Sequence, residues 1–386
     1  MEIKVSKSDL QRAVAITRKA LSKIIIQQER GHLLFSVSGG KMRVTGTNND
    51  LKAMCVIPAQ CPADARASFT CDPKIISGVL SKMDIADAVL DYQEGEQTVR
   101  VFTSEGSSSF AKLQSFPASM MLTFEPSPER SPVPVPRALL SSALKYAEGY
   151  LSPPKDDSRN FDIVSISKGI VYSANGTNMM GFMVSNAFKP LEDVRLRKAV
   201  VPILYSVLNS IDDESISLIR TANDVGIETA SGVYFSALKP AMEPPSAKTE
   251  LIKSEGPHTI VDRALLLKHI ERLVASDTGT DGAVWIQMTL GGAGDSAHID
   301  IALTSSKSVE RVPCARADDP SGEDVEHIIE YRILKSVLGS FDHGEKIRLH
   351  INDKGGKAVK AYDKGGEGAE GFVQIGIGGY AKRISD

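Results

Sequence analysis

KIISGVLSKM (74–83), PILYSVLNSI (202–211) and RILKSVLGSF (332–341) are one helix written three times. In the last copy Ile333, Leu334, Val337, Leu338 and Phe341 recur along one helical face. The copies begin 128 and 130 residues apart (74 to 202, 202 to 332). A fixed long period is the mark of a duplicated structural unit.

A second helix recurs at the same period: VSKSDLQRAV (5–14), VPRALLSSAL (135–144) and VDRALLLKHI (261–270). Its buried stripe reads Leu10, Ala13, Val14, Thr17, then Leu140, Ala143, Leu144, Ala147, then Leu266, His269, Ile270, Leu273. Each set has the i, i+3, i+4, i+7 spacing of an amphipathic helix. His269 lies inside its stripe and reads as a packed residue rather than a ligand. Between the two helices of each unit run alternating strands with tight turns. LLFSVSGGKMRVTGT turns at Gly39-Gly40, DIVSISKGIVYSANGT at Lys168-Gly169, and VWIQMTLGGAGDSAHIDIAL at 291–294. More strands follow the second helix: AVLDYQEGEQTVRVFTS, SISLIRTANDVGIETAS and KIRLHINDKGGKAVKAYD. Each unit is β-α-βββ twice over, an α+β domain. Proline-spaced linkers fall where the period requires, EPSPERSPVPVP (125–136) and KPAMEPPSAKTELIKSEGPH (239–258). The expected domains are 1–130, 131–256 and 257–386.

The 386 residues are 42% hydrophobic and 24% charged, a globular composition sufficient for several domains. No apolar run approaches a membrane span, and MEIKVSKSDL has no signal core, so a cytoplasmic location is expected. The four cysteines have no paired metal spacing and read as reduced thiols. With 45 basic and 48 acidic residues the net charge is −3, which argues against tight groove-reading attachment to DNA.

Catalytic patterns are missing. The seven histidines form no HExxH pair, no nucleophile elbow occurs, and DKGGKAVKAYDKGGEGAEG (353–371) lacks the phosphate-loop lysine context. Its glycines read as hairpin turns. Asp212-Asp213-Glu214 follows a helix and reads as a solvated loop. Neither an enzyme nor a cofactor nor a metal is expected.

MEIKVSKSDL, LLFSVSGGKMRVTGTNNDL (33–51), SFTCDPKIISGVL (68–80), VRVFTSEGSSSFAKL (99–113), VYSANGTNMMGF (171–182) and FSALKPAMEPPSAK (235–248) together resemble the bacterial DNA polymerase III beta subunit, the sliding clamp. The likeness spans the chain. It implies the DNA clamp fold: three like domains per chain and a head-to-tail homodimeric ring, with helices lining a hole around double-stranded DNA and sheets outside. Two helices in each of three domains give twelve per dimer. At about 9 Å spacing these make a circle about 34 Å across, leaving a hole of about 24 Å once a helix diameter of about 10 Å is subtracted. Such a ring holds DNA by topology and is compatible with the net charge, through weak phosphate contacts that carry no base readout.

Basic residues on or beside the lining helices are then the DNA-facing candidates: Lys23, Lys74, Arg137, Lys145, Arg159, Lys198, Arg263, Lys268, Arg272, Arg332 and Lys335. Each reads either as a phosphate contact or as a solvated charge. The helix at 202–211 has no basic residue. AVVP (199–202) stands where the family often has Pro-Arg-Lys, so a less positive lining is expected there.

The resemblance also implies a cleft that takes short peptides from the polymerase and the clamp loader. By position it would use Phe161, Asn175, Thr177, Asn178, Met179, Met180, Pro244, Lys248, Thr249, Val373, Ile375 and Ile377. The family usually has Thr-Asp-Gly-His-Arg-Leu where this chain has Asn175-Gly-Thr-Asn-Met-Met180, and GFVQIGIGGYAKRISD replaces the usual short end. Two methionines would make the pocket more apolar and adaptable, or they are strand core. A conventional clamp-binding peptide is expected to bind poorly. Phe110, Leu273 and Val274 are the matched dimer contacts. The alternative reading is a clamp-like interaction protein that sequesters or competes for clamp partners without serving a polymerase.

Overall fold

The computed structural model describes residues 1–21, 31–102, 109–151, 162–175, 179–243, 258–276, 283–292, 294–305, 308–316, 325–341, 346–350, 359–364 and 373–378; for 258, 325–326, 359–364 and 373–378 it describes the backbone alone. Within these residues the chain writes one order of elements three times. The first repeat is β1 (Glu2–Ser6), α1 (Lys7–Thr17), β2 (Leu33–Ser38), β3 (Lys41–Thr47), β4 (Leu51–Pro58), β5 (Ala67–Cys71), α2 (Pro73–Ser81), β6 (Asp87–Gln93), β7 (Thr98–Phe102) and β8 (Phe110–Gln114). The second is β9 (Ser131–Pro136), α3 (Arg137–Glu148), β10 (Ile163–Ser167), β11 (Ile170–Asn175), β12 (Met179–Val184), β13 (Val194–Arg197), α4 (Val201–Leu208), β14 (Ser215–Arg220), β15 (Asp224–Glu228) and β16 (Val233–Leu238). The third is β17 (His258–Asp262), α5 (Arg263–Ala275), β18 (Trp285–Gly291), β19 (His298–Leu303), β20 (Val309–Arg316), β21 (Val325–Glu330), α6 (Tyr331–Gly339), β22 (Lys346–His350), β23 (Val359–Lys364) and β24 (Val373–Gly378). The fold is α+β, with antiparallel sheets throughout and the twofold β-α-βββ pattern in every repeat.

Local chemistry sets these elements. The Ser6 side chain caps α1 at the Asp9 amide (3.3 Å), and Asp262 caps α5 at the Leu265 amide (2.8 Å). Asp72 accepts from the Lys74 amide (2.7 Å) ahead of Pro73, which suits the first helical turn. Gly39 and Gly40 (φ 56° and 71°) and Lys168 and Gly169 (φ 49° and 89°) take the left-handed conformation that a two-residue hairpin turn requires.

The halves of a repeat exchange lead strands. β1 pairs with β6 and β5 with β2; β9 with β14 and β13 with β10; β17 with β22 and β21 with β18. Each half is therefore stitched into the other, and neither completes its sheet alone. The repeats are stitched in turn, because β4 pairs with β16 and β12 with β24.

The contacts divide into two compact units, Met1–Ser141 with Pro202–Lys239, and Ser142–Val201 with Pro240–Asp386. The first holds a sheet β1-β6-β7-β8 and a sheet β5-β2-β3-β4-β16-β15-β14-β9. Its core includes Leu10, Val14, Phe35, Phe69, Ile76 and Leu80, all fully buried. Gly46 on β3 passes under the end of α1, where an added Cβ would lie 2.2 Å from the Thr17 carbonyl oxygen. The second unit holds one sheet, β13-β10-β11-β12-β24-β23-β22-β17-β20-β19-β18-β21, with Leu266, Ile270, Leu334 and Leu338 buried against it. Each such side chain contributes about 1.5–3 kcal/mol, so the recurring stripes are the core of every repeat. No helix among the described residues is long and apolar enough to cross a membrane.

Candidate functional site

The first residue of each leading helix is basic: Lys7, Arg137 and Arg263. All three point their charge into the end of the second helix of the same repeat. Arg137 donates from Nε to the Asp213 carbonyl (2.9 Å) and from Nη1 to the Leu208 carbonyl (3.2 Å). Arg263 donates from Nη1 to the Leu338 carbonyl (3.1 Å), and Lys7 donates to the Met83 carbonyl. A cation at a helix C-terminus meets unpaired carbonyls and the negative end of the dipole. Arg137 and Arg263, expected from sequence to face DNA, are thus half-buried helix caps.

Other expected DNA contacts are also engaged by their own chain. Glu310 on β20 binds Arg272 (Nε–Oε1 2.6 Å) and accepts from His269 Nδ1 (2.9 Å). Arg272 and then His269 hold the Glu310 carboxyl down at about 2. His269 is therefore a polar bridge on the rim of the stripe rather than a purely packed ring. Lys335 on α6 pairs with Glu271 on α5 (2.8 Å) and donates to the Tyr331 hydroxyl (3.2 Å), and both contacts raise its pKa. Lys198 donates to the Leu151 carbonyl (3.2 Å). Lys145 is exposed on α3. Lys74, Lys268 and Arg332 are exposed and enter no ion pair among the described residues. Lys23 and Arg159 lie outside the described residues.

Helix α4 exposes Pro202 and Ser206, and Asn209 just past its end is exposed too. Its last turn is met by a residue sequence reasoning missed: Lys19, after α1, donates to the Ser206 carbonyl (2.8 Å) and to Ser210 Oγ (2.9 Å). Burial lowers the Lys19 pKa, with Arg18 adding to the effect. The matching place in the second unit is polar but uncharged. There the Tyr150 hydroxyl reaches Ser340 Oγ (2.5 Å) and Ser336 Oγ donates to the Gly149 carbonyl (3.5 Å). The signal was legible: Ser206 and Ser210 recur as Ser336 and Ser340 in the aligned helices.

The register of β11, β12 and β24 divides the expected peptide cleft between two sheet faces. Met180 lies opposite Ile377, Phe182 opposite Ile375 and Val184 opposite Val373, so these positions share one face. Met179 pairs with Asn175 and shares the other face with Gly181 and Met183. Both faces are packed further along β12: Phe182 on the first and Met183 on the second are fully buried, and a Cβ on Gly181 would sit 2.4 Å from the Tyr150 ring. The two methionines therefore cannot act as a pair, and only Met180 shares its face with the β24 positions. Phe161, Thr177, Asn178, Pro244, Lys248 and Thr249 lie outside the described residues.

Two strands, one in the first repeat and one in the third, present apolar side chains beside unpaired backbone. β8 ends its sheet, and Phe110 on it is 42% exposed, with the Arg100 guanidinium 5.1 Å from its ring. β20 pairs with β17 only from Cys314 onward, and Val309 at its open end is 60% exposed. Ile75 on α2 is 54% exposed, whereas its counterpart Ile333 is 7% exposed. Leu273, expected at a dimer contact, is 3% exposed and belongs to the core; Val274 beside it is half-buried.

Among the described residues no group of three or more His, Cys, Asp or Glu side chains could hold a metal. The cysteines are free, and burial pushes the Cys55 thiol up to about 12 and raises Cys71 as well.

No family model and no curated protein sequence matches the chain. Solved structures do. The DNA polymerase III subunit beta from Pseudomonas aeruginosa aligns with a TM-score of 0.78 at 14% identity, over 99% of this chain and 100% of that one. The DNA polymerase sliding clamp from Bacillus subtilis gives 0.76 at 15%, over 99% of each. A putative DNA polymerase III beta subunit from Eubacterium rectale gives 0.75 at 14%, over 99% and 100%. Threefold β-α-βββ pairs, exchanged lead strands and edge-to-edge stitching among the described residues give this chain the sliding-clamp fold.

Proposed function

We propose that this chain is a DNA sliding clamp. Two copies join head to tail, enclose duplex DNA without reading its bases, and tether a replicative polymerase and other DNA-processing factors. The fold, shared over 99% of the chain with polymerase beta subunits, is the observation that carries this reading. The working units are the three repeats, 1–130, 131–256 and 257–386. The protein acts on the nucleoid as a processivity subunit and catalyses nothing itself. Polymerase and loader reach it through short peptides that dock beside Met180 and β24.

The edges support the homodimer. β4 pairs with β16 and β12 with β24, so the fourth strand of one repeat takes the last strand of the next. By that rule β20 takes a β8, and a second copy supplies it. Phe110 on β8 and Val309 on β20 are the exposed apolar residues that such a junction would cover.

One observation favours a second reading. α4 exposes no basic side chain, and Arg137, Arg263, Arg272 and Lys335 are engaged within the chain. A clamp-fold protein that competes for clamp partners would need no DNA-facing charge.

A topological test separates the two. The full chain, dissociated by dilution, is mixed with nicked circular DNA and then concentrated. A clamp co-elutes with the circle and is released when a restriction enzyme cuts it. Retention on both forms, or on neither, refutes the clamp.

A further inference from the structure

The head-to-tail dimer proposed above leaves the register of its strand junction open, and the chain's two internal junctions bear on it. The ladders inside each repeat establish which residues correspond. Lys41 and His298 open equivalent strands, so Met54, opposite Thr45, corresponds to Val309, opposite Ala302. On the other edge the count starts from Ser6 and Pro136, which precede the leading helices; it gives Phe110 the place of Tyr234. In the β4–β16 junction Met54 lies opposite Tyr234. Carried to the open edges, that register sets Val309 opposite Phe110. The β12–β24 junction is offset by two residues, with Phe182 opposite Ile375. Carried over, it sets Arg311 opposite Phe110.

An offset of two leaves every side chain on its own face, so chemistry decides between them. Phe110 and Val309 are exposed apolar groups that would cover each other. Arg311 is already held by both oxygens of Asp300 (2.7 and 2.8 Å). The Phe110 ring already carries the Arg100 guanidinium, which a second guanidinium would repel. The internal pair that serves as template is likewise apolar: Met54 and Tyr234 are buried with Ile219 against Val56 and Phe124.

We infer that two copies of this chain join β8 to β20 with Phe110 of one opposite Val309 of the other. The inference rests on the dimer reading. The test compares Phe110→Cys with Val309→Cys against Phe110→Cys with Arg311→Cys, both in a Cys61→Ser, Cys314→Ser background that leaves only buried thiols. A short bifunctional thiol reagent is added at concentrations where native mass reads dimer. The 110/309 pair should join at least about tenfold faster, since diagonal neighbours are farther apart than opposed ones. A second pair, Ala111→Cys with Ser308→Cys, is opposed in the same register and leaves both apolar side chains intact. Faster joining of 110/311 overturns the register and leaves the dimer standing. A dimer that joins at none of these pairs overturns the β8–β20 junction. An unmodified chain that stays monomeric at every concentration defeats the dimer reading, and the register with it.

Discussion

Arg263 reaches from the first turn of α5 to the Leu338 carbonyl, 3.1 Å away at the end of α6. Arg137 does the same for Leu208, and Lys7 closes the equivalent gap with Met83. Each repeat is thus locked at one point where a cation neutralises the end of its second helix. Arg137→Met or Arg263→Met should lower stability by about 1–2 kcal/mol, the size of a charge-assisted bond at a helix C-terminus. Urea unfolding midpoints measure this.

Lys268 and Arg332, by contrast, are exposed and enter no ion pair among the described residues. If each neutralises one phosphate, Lys268→Ala or Arg332→Ala should flatten the slope of log affinity against log salt by about 0.9. Arg263→Met should leave that slope unchanged. Titration of a short duplex at several salt concentrations distinguishes the two kinds of basic residue, and equal slopes for all variants would remove these lysine and arginine positions from the DNA face.

Tyr150 is wholly buried between Gly181 and Ser340, and burial pushes its hydroxyl up to about 12. In the unfolded chain tyrosine ionises near 10, so the stability that this shift represents is present below pH 10. It is lost as pH rises towards 12, because only the unfolded form releases the proton there. The wild-type chain should lose about 2–3 kcal/mol more than Tyr150→Phe across that interval. Gly181→Ala should cost about 1–3 kcal/mol by driving a methyl group into the ring. Denaturant midpoints against pH, with the Tyr150→Phe curve subtracted, check the first.

Glu310 shows the opposite sign. Its carboxyl is held at about 2 by Arg272 and His269. The stability it supplies is present above the ordinary carboxylate range near 4.5 and disappears as pH falls through 2. Glu310→Gln should flatten the acid side of the stability curve between these values while leaving the neutral-pH fold intact. Circular dichroism during acid titration gives the comparison.

Met180 and Met179 should separate cleanly. Met180→Ala should weaken binding of a cognate partner peptide by about tenfold, the scale of a lost apolar anchor. Met179→Ala should leave that affinity unchanged, since Met179 lies on the opposite face of the strand, with Gly181 and Met183. A conventional clamp-binding peptide should bind more weakly than micromolar. Calorimetric titration reads both affinities, and tight binding of the conventional peptide would reject the altered cleft.

Periodicity and turn chemistry are local, and the amino-acid order alone determined whatever depends on them. Leu10, Leu140 and Leu266 announce the leading helices, Gly39-Gly40 and Lys168-Gly169 the hairpins, and the threefold recurrence the architecture. The partners of a charge are not local. Nothing near Arg137 or Arg263 in the chain tells that a carbonyl some seventy residues on will claim it, or that Glu310 will claim Arg272. The strand ladder, not the spelling Met179-Met180, decided which methionine shares a face with positions Val373, Ile375 and Ile377, because adjacent strand residues point to opposite sides. Tertiary packing likewise drew Leu273 inward and left Phe110 and Val309 at open edges.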